Sequence, residues 1–190
     1  MILHTPASHS RFAIRGLPAL SPDRIATGLG RHLDDSYHYV RHAAPSGIEP
    51  VDAVVVGPGG TWALTVAHER GRFRKRNGHW YRWNGSTESW IPWAAVPVTA
   101  TRLAGHRLEL FLERAGQASA VEPCLIAQDG TDVSWEPDQR PGVHVHADLT
   151  RLARRMVRDE VLTDSQIDRI VALLDPRQPL PRLAPSTPQG

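Results

Sequence analysis

The sequence predicts an α/β fold, a mixed central β-sheet flanked by helices with further helices at the C-terminal end, and three observations carry that expectation. Val51-Asp52-Ala53-Val54-Val55-Val56 is almost continuously apolar, as a strand buried on both faces of a sheet is. Gly57-Pro58-Gly59-Gly60 then turns the chain into a second apolar run, Thr61-Trp62-Ala63-Leu64-Thr65-Val66-Ala67-His68. Outside this pair the apolar spacing becomes helical, at Ile25, Leu29 and Leu33 and again between Val98 and Arg114.

Taken in order, residues 1–20 show no sustained period and read as an N-terminal arm with a short strand at most around Phe12-Ala13-Ile14. Ser21 is a good N-cap, with Pro22 at the first helical position and Asp23 in the first turn. Tyr37 to Arg41 alternates like a strand, and Pro45-Ser46-Gly47 breaks it. After the two central strands, Asn77-Gly78 separates Arg72-Phe73-Arg74-Lys75-Arg76 from His79-Trp80-Tyr81-Arg82-Trp83. Both turn residues tolerate the positive φ of a type I′ turn, so a β-hairpin is expected there.

Leu103, Leu108, Leu110, Phe111 and Leu112 support a helix from Val98 to Arg114, ended by Gly116. Val121 to Ala127 and Val143 to Val145 read as strands, separated by an acidic, turn-rich loop with Asp129-Gly130 and Pro137. Asp148 should cap a helix through Val157, and Thr163-Asp164-Ser165-Gln166 forms a capping-box pattern for another ending near Asp175. The expected organisation is an arm at 1–20, the main domain at 21–147, a pair of helices packed on it at 148–175, and an extended Pro-rich tail at 176–190.

Composition bounds the function. The chain has 190 residues, enough for one well-buried domain. Its net charge of +2 is too small for a polycation, so nucleic-acid binding must rest on local clustering. The lone Cys124 excludes an internal disulfide and any multi-cysteine zinc site. With no long apolar stretch and no signal-peptide pattern, a cytoplasmic protein that does not engage membranes is the expectation.

Many metal-dependent nucleases place a carboxylate on one strand and a Glu-x-Lys pair on the next. The carboxylates hold Mg²⁺ and the lysine orients water and stabilises phosphate charge. Here Asp52 occupies the first position, but Thr65 and Ala67 stand where the Glu and Lys would fall. The frame from Val51 to Gly60, Trp62 to His68, Gly71-Arg72-Phe73 and Trp80-Tyr81-Arg82 resembles the nuclease-related domain (NERD) family, whose members read IDxVVVGPxGVFVIEVKNxxGxV followed by a WxR-like strand. Pro97-Val98-Thr99-Ala100-Thr101-Arg102 is similar to that family's PVxQAR helix start, with Ala100 in place of Gln. The resemblance extends over roughly residues 21–174 and is strongest in the central third. It implies a PD-(D/E)xK nuclease-like fold in which Asp52 alone remains of the catalytic signature, so no catalytic residue and no metal cofactor are expected. Mg²⁺ enters only in an alternative with rearranged ligands, Asp52 and Glu69 assisted by Lys75 or His68.

The segment from His68 to Trp93 is the candidate functional surface. Arg70, Arg72, Arg74, Lys75, Arg76 and Arg82 can track phosphates, while Trp80, Tyr81 and Trp83 offer faces for unpaired bases. Strand alternation puts Arg72, Arg74 and Arg76 on one face of the hairpin and Phe73 and Lys75 on the other, with Trp80 and Arg82 opposite in facing to His79, Tyr81 and Trp83. Hairpin tryptophans also commonly pack on a core, and edge arginines discourage aggregation.

Other polar patterns are weaker. His144 and His146 alternate on a strand and could pair on a metal, but with no third ligand identifiable nearby a solvated strand face suits them better. Arg151, Arg154, Arg155 and Arg158 form a basic stripe on the helix after Asp148. Gly57-Pro58-Gly59-Gly60 lacks the Lys-Ser continuation of a phosphate-binding loop and reads as a hairpin turn. Three functional classes follow. The first is a non-catalytic DNA-binding relative of the nucleases, acting on single strands, ends, nicks or branches in repair or protection. The second is a Mg²⁺-dependent endonuclease with rearranged ligands, and the third a protein-interaction module using the Trp-rich hairpin. A homo-oligomer is compatible with each.

Overall fold

The computed structural model describes residues 1–4, 22–43, 51–137 and 142–175. The elements in chain order are β1 (Ile2–His4), α1 (Pro22–Leu29), β2 (His38–Ala43), β3 (Val51–Gly57), β4 (Gly60–Val66), β5 (Arg72–Arg76), β6 (His79–Asn84), β7 (Ser89–Pro92), α2 (Val96–Arg114), β8 (Val121–Ile126), β9 (Asp132–Trp135), β10 (His144–His146), α3 (Leu149–Met156) and α4 (Asp164–Leu174). The expected features at Phe12-Ala13-Ile14, Ser21, Pro45-Ser46-Gly47 and the tail from Pro176 lie outside the described residues.

Two sheets result. The larger has six strands in the order β1-β2-β3-β4-β8-β10, and the smaller has four in the order β7-β6-β5-β9. The large sheet is mixed: β2, β3 and β4 run antiparallel in turn, while β1 on β2, β8 on β4 and β10 on β8 are parallel. The fold is therefore the mixed α/β arrangement that the apolar β3–β4 run predicts. Val54, Val55 and Val56 are fully buried because helices cover both faces of that strand.

One face packs Ala53, Val55, Trp62, Leu64, Cys124 and Ile126 against Ile25 and Leu29 of α1 and Leu152 and Met156 of α3. The opposite face packs Val54, Val56 and Ala63 against Leu108 and Leu112 of α2 and Ile167 and Ile170 of α4. The helices expected as a C-terminal pair thus go to opposite faces. Each starts where its cap is: the Asp148 carboxylate accepts the Thr150 and Arg151 amides, and Thr163 and Gln166 close a reciprocal capping box.

Two expectations need correction. Part of the loop expected between β8 and β10 is the strand β9, which pairs in parallel with β5, Arg72 opposite Asp132 and Lys75 opposite Trp135. Its polar-apolar alternation, Asp-Val-Ser-Trp, is that of a strand with one wet face. The first residues of the expected arm likewise form β1, whose partner β2 lies more than thirty residues away, with His4 opposite Val40. A three-residue strand carries no readable period, and only the waiting edge of β2 defines it.

The turn Pro58-Gly59 between Gly57 and Gly60 is a docking point. The Pro58 carbonyl accepts the Val161 and Leu162 amides from the segment after α3, and the Tyr37 hydroxyl donates to the Met156 carbonyl at 3.0 Å beside it. This glycine-rich turn holds protein backbone, as expected of a hairpin turn.

Candidate nucleic-acid interface

The small sheet stands on the large one through its inner face. Phe73 is buried there, its ring 4.4 Å from that of Trp93, and Trp80 meets Trp93 edge-on at 5.9 Å. Together with Ala67, Val98, Leu125, Val133 and Val145 they line an apolar hollow. Trp80, expected among the binding residues, is placed by the structure in this packing layer.

Paired residues on neighbouring strands share a face, so the register fixes the outer face. Arg74 opposes Tyr81 and Arg76 opposes His79. Tyr81 in turn opposes Pro92, and Trp83 opposes Trp90. Asn77 and Gly78 turn the hairpin at φ 50° and 78°, the positive values a type I′ turn requires. The outer face therefore carries Arg72, Arg74, Arg76, His79, Tyr81, Trp83 and Trp90. Lys75 and Arg82 belong to the inward-facing set with Trp80 and Phe73.

Guanidinium and ring groups on this outer face are layered. The Arg74 guanidinium lies 4.2 Å from the Trp90 ring centroid and 5.7 Å from that of Tyr81, and Arg72 lies 5.5 Å from Trp83. Such stacking holds the cations flat and limits the rotamer entropy lost when a ligand arrives. Arg72 and Arg76 have carboxylates at 3.8 and 3.5 Å, in Asp132 and Glu136, but both arginines are more than half exposed. Exposed pairs of this kind contribute little and yield readily to another anion. Arg74 has no carboxylate partner among the described residues, and its Nε is buried without a hydrogen-bond acceptor. Arg70 is exposed at the margin, where its carbonyl accepts from Arg82 at 3.4 Å.

At the positions singled out by the NERD resemblance the surroundings are structural. Continuing the β3–β4 register places Asp52 opposite Thr65, and Asp52 Oδ2 accepts the Val66 amide at 2.7 Å. Ala67 is buried at the wall of the apolar hollow, whose lining carboxylate, Glu69, is already engaged by Arg82 and Trp93. Ala100 is exposed on α2. Glu69 accepts from the Trp93 indole N–H at 3.2 Å and pairs with Arg82 at 3.8 Å. Among the described residues no three His, Cys, Asp or Glu side chains converge as metal ligands do. A Mg²⁺ ion of the nuclease type does not fit these residues: one carboxylate, a hydroxyl and a methyl cannot replace its oxygen ligands.

No protein family, curated protein or solved structure matches the chain. Among the described residues no helix is long and apolar enough to cross a membrane.

The sequence pointed to the hairpin but not to β7 or β9, which complete its sheet. Trp90, the ring nearest Arg74, stands on a four-residue strand ending in Pro92. Its signal was the repeat of aromatic residues at Trp83 and Trp90 across a Gly-Ser-Thr turn.

Proposed function

We propose that the protein is a non-catalytic nucleic-acid-binding protein that grips single-stranded DNA, as exposed at ends, nicks or branches, on the outer face of its small sheet. The carrying observation is the stack of Arg74 on Trp90, with its unpartnered buried Nε, inside the row of Arg72, Tyr81, Trp83 and Arg76. Arginines at alternate positions follow a phosphate backbone while the rings between them accept base faces, a combination that suits unpaired strands. A role in DNA repair or protection follows from such a substrate. The NERD resemblance agrees with this reading, since it supplies a nuclease-like frame whose Glu, Lys and Gln positions hold Thr65, Ala67 and Ala100.

The test is fluorescence anisotropy of labelled single-stranded, duplex and nicked DNA across a salt series, with Mg²⁺ and with chelator, followed by denaturing gels. Single strands should bind most tightly, the affinity should fall steeply with salt, and the DNA should stay intact. Mg²⁺-dependent cleavage that Asp52→Ala abolishes would establish the endonuclease reading instead. Salt-insensitive behaviour without DNA binding would point to a protein partner for the aromatic face.

A further inference from the structure

A second polar site lies on the far side of the large sheet, where β10 forms its last strand. The parallel register sets His144 opposite Cys124 and His146 opposite Ile126, so both imidazoles are on the face covered by α3. That helix brings Arg151 and Arg155 over them, and the groove between is closed by Glu122 from β8 and by Trp135 from β9. Trp135 is 37% exposed, so part of its ring is open at the groove.

The acidic groups of the groove are already committed. Glu122 Oε2 sits 2.7 Å from His144 Nε2, so that nitrogen carries its proton toward the carboxylate. Arg155 approaches the same nitrogen at 3.4 Å, where no lone pair is left to accept from it. Asp148 is used by the Thr150 and Arg151 amides at the start of α3. Neither Arg151 nor Arg155 has a carboxylate at salt-bridge distance among the described residues. Burial first, and then His144, Arg155 and Arg151, push the His146 imidazole down to about 4. Two guanidinium groups without a carboxylate at salt-bridge distance, facing one bounded groove, make it a place where an anion is stabilised.

We propose that this groove binds a nucleoside 5′-monophosphate group, with Arg151 and Arg155 on the phosphate, His146 donating beside them and Trp135 stacked on the base. A terminal monoester carries nearly two negative charges, whereas an internal diester carries one, so two arginines in a bounded groove favour the terminus. The ligand comes either as a free nucleotide or as the 5′-phosphorylated end of a strand. The second source rests on the strand-binding reading above, and the first does not.

The experiment compares adenosine 5′-monophosphate with adenosine by calorimetry, and 5′-phosphorylated with 5′-hydroxyl oligonucleotides by anisotropy. The full chain, Arg151→Gln/Arg155→Gln and Arg72→Glu/Arg74→Glu/Arg76→Glu are measured side by side. Binding of the monophosphate but not of adenosine, or at least a fivefold preference for the phosphorylated end, supports the inference when the Arg151/Arg155 variant loses it at unchanged Tm. The hairpin variant should weaken both oligonucleotides and keep their ratio. A hairpin variant that still binds strands normally overturns the strand-binding reading and leaves the groove standing. Equal affinity for the two ends together with no monophosphate binding overturns the groove, as does a preference that survives Arg151→Gln/Arg155→Gln.

Discussion

Asp52 and Val66 are joined across the central hairpin by a 2.7 Å hydrogen bond from the Val66 amide to the aspartate carboxylate. A side chain thus replaces a backbone acceptor just where β4 leaves the antiparallel ladder. Asp52 therefore has a structural reason to stand at this position.

Asp52→Asn should therefore be tolerated, since an amide oxygen can accept the same N–H. Asp52→Ala leaves that donor without its partner and should cost roughly 1–3 kcal/mol. Urea unfolding decides: equal loss in both variants would mean that the negative charge, and not the hydrogen bond, is what the site needs.

The two faces of the small sheet should respond differently to loss of an indole. Trp90→Ala removes the ring under Arg74 and should weaken single-strand binding by roughly 5- to 150-fold, the range for one stacked base, with little change in Tm. Trp80→Ala empties part of the layer shared with Trp93 and should lower stability by about 3 kcal/mol, with binding retained in the folded fraction. Reversed behaviour in anisotropy and thermal melts would reject the assignment of the faces.

Arg72→Glu/Arg74→Glu/Arg76→Glu should cut single-strand affinity at least tenfold and flatten the plot of log affinity against log salt by about 2, near 0.7 per lost phosphate contact. Adding Lys75→Glu should contribute less, because Lys75 shares the inner face with Trp80. An unchanged slope in the triple variant would exclude this face as the phosphate path.

Gly59 is fixed by contact. A methyl group there would overlap the Met156 carbonyl at the end of α3, and one on Gly57 would overlap the Tyr37 ring. Gly59→Ala should destabilise by roughly 3 kcal/mol or more, since a backbone atom is the obstacle and cannot rotate away. A variant with wild-type Tm would show that the segment after α3 is not docked on the turn.

Stability should fall on acidification through His146. Its folded pKa of about 4 lies below the unfolded value of roughly 6.5, so between them the unfolded chain binds the extra proton. The contribution is complete above pH 6.5, is lost as pH falls toward 4, and is constant below. Because the ring is only partly buried the loss should be about 1 kcal/mol. His38, pushed down by burial and then by His4, adds to the same slope. Urea midpoints between pH 7.5 and 4.5 should decline less steeply for His146→Gln than for the wild type, and identical slopes would remove His146 as the cause.

The sequence by itself determined the buried β3–β4 pair, the Asn77-Gly78 hairpin, the capped helices α3 and α4 and the alternation of arginines on β5, because each is set by short-range periodicity or by a turn's demand on φ. Only the tertiary structure decided which hairpin face is wet. Strand alternation divides side chains into two sets without naming the buried one, and the core formed by Ala67, Ala95, Val98, Leu125 and Val143 takes the Trp80 set inward. It alone created β1 and β9, which exist by pairing with β2 and β5. The groove at His146 arises in the same way: Glu122, Trp135, His144 and Arg155 lie on separate elements, and nothing local in the chain can report that the sheet and α3 bring them together.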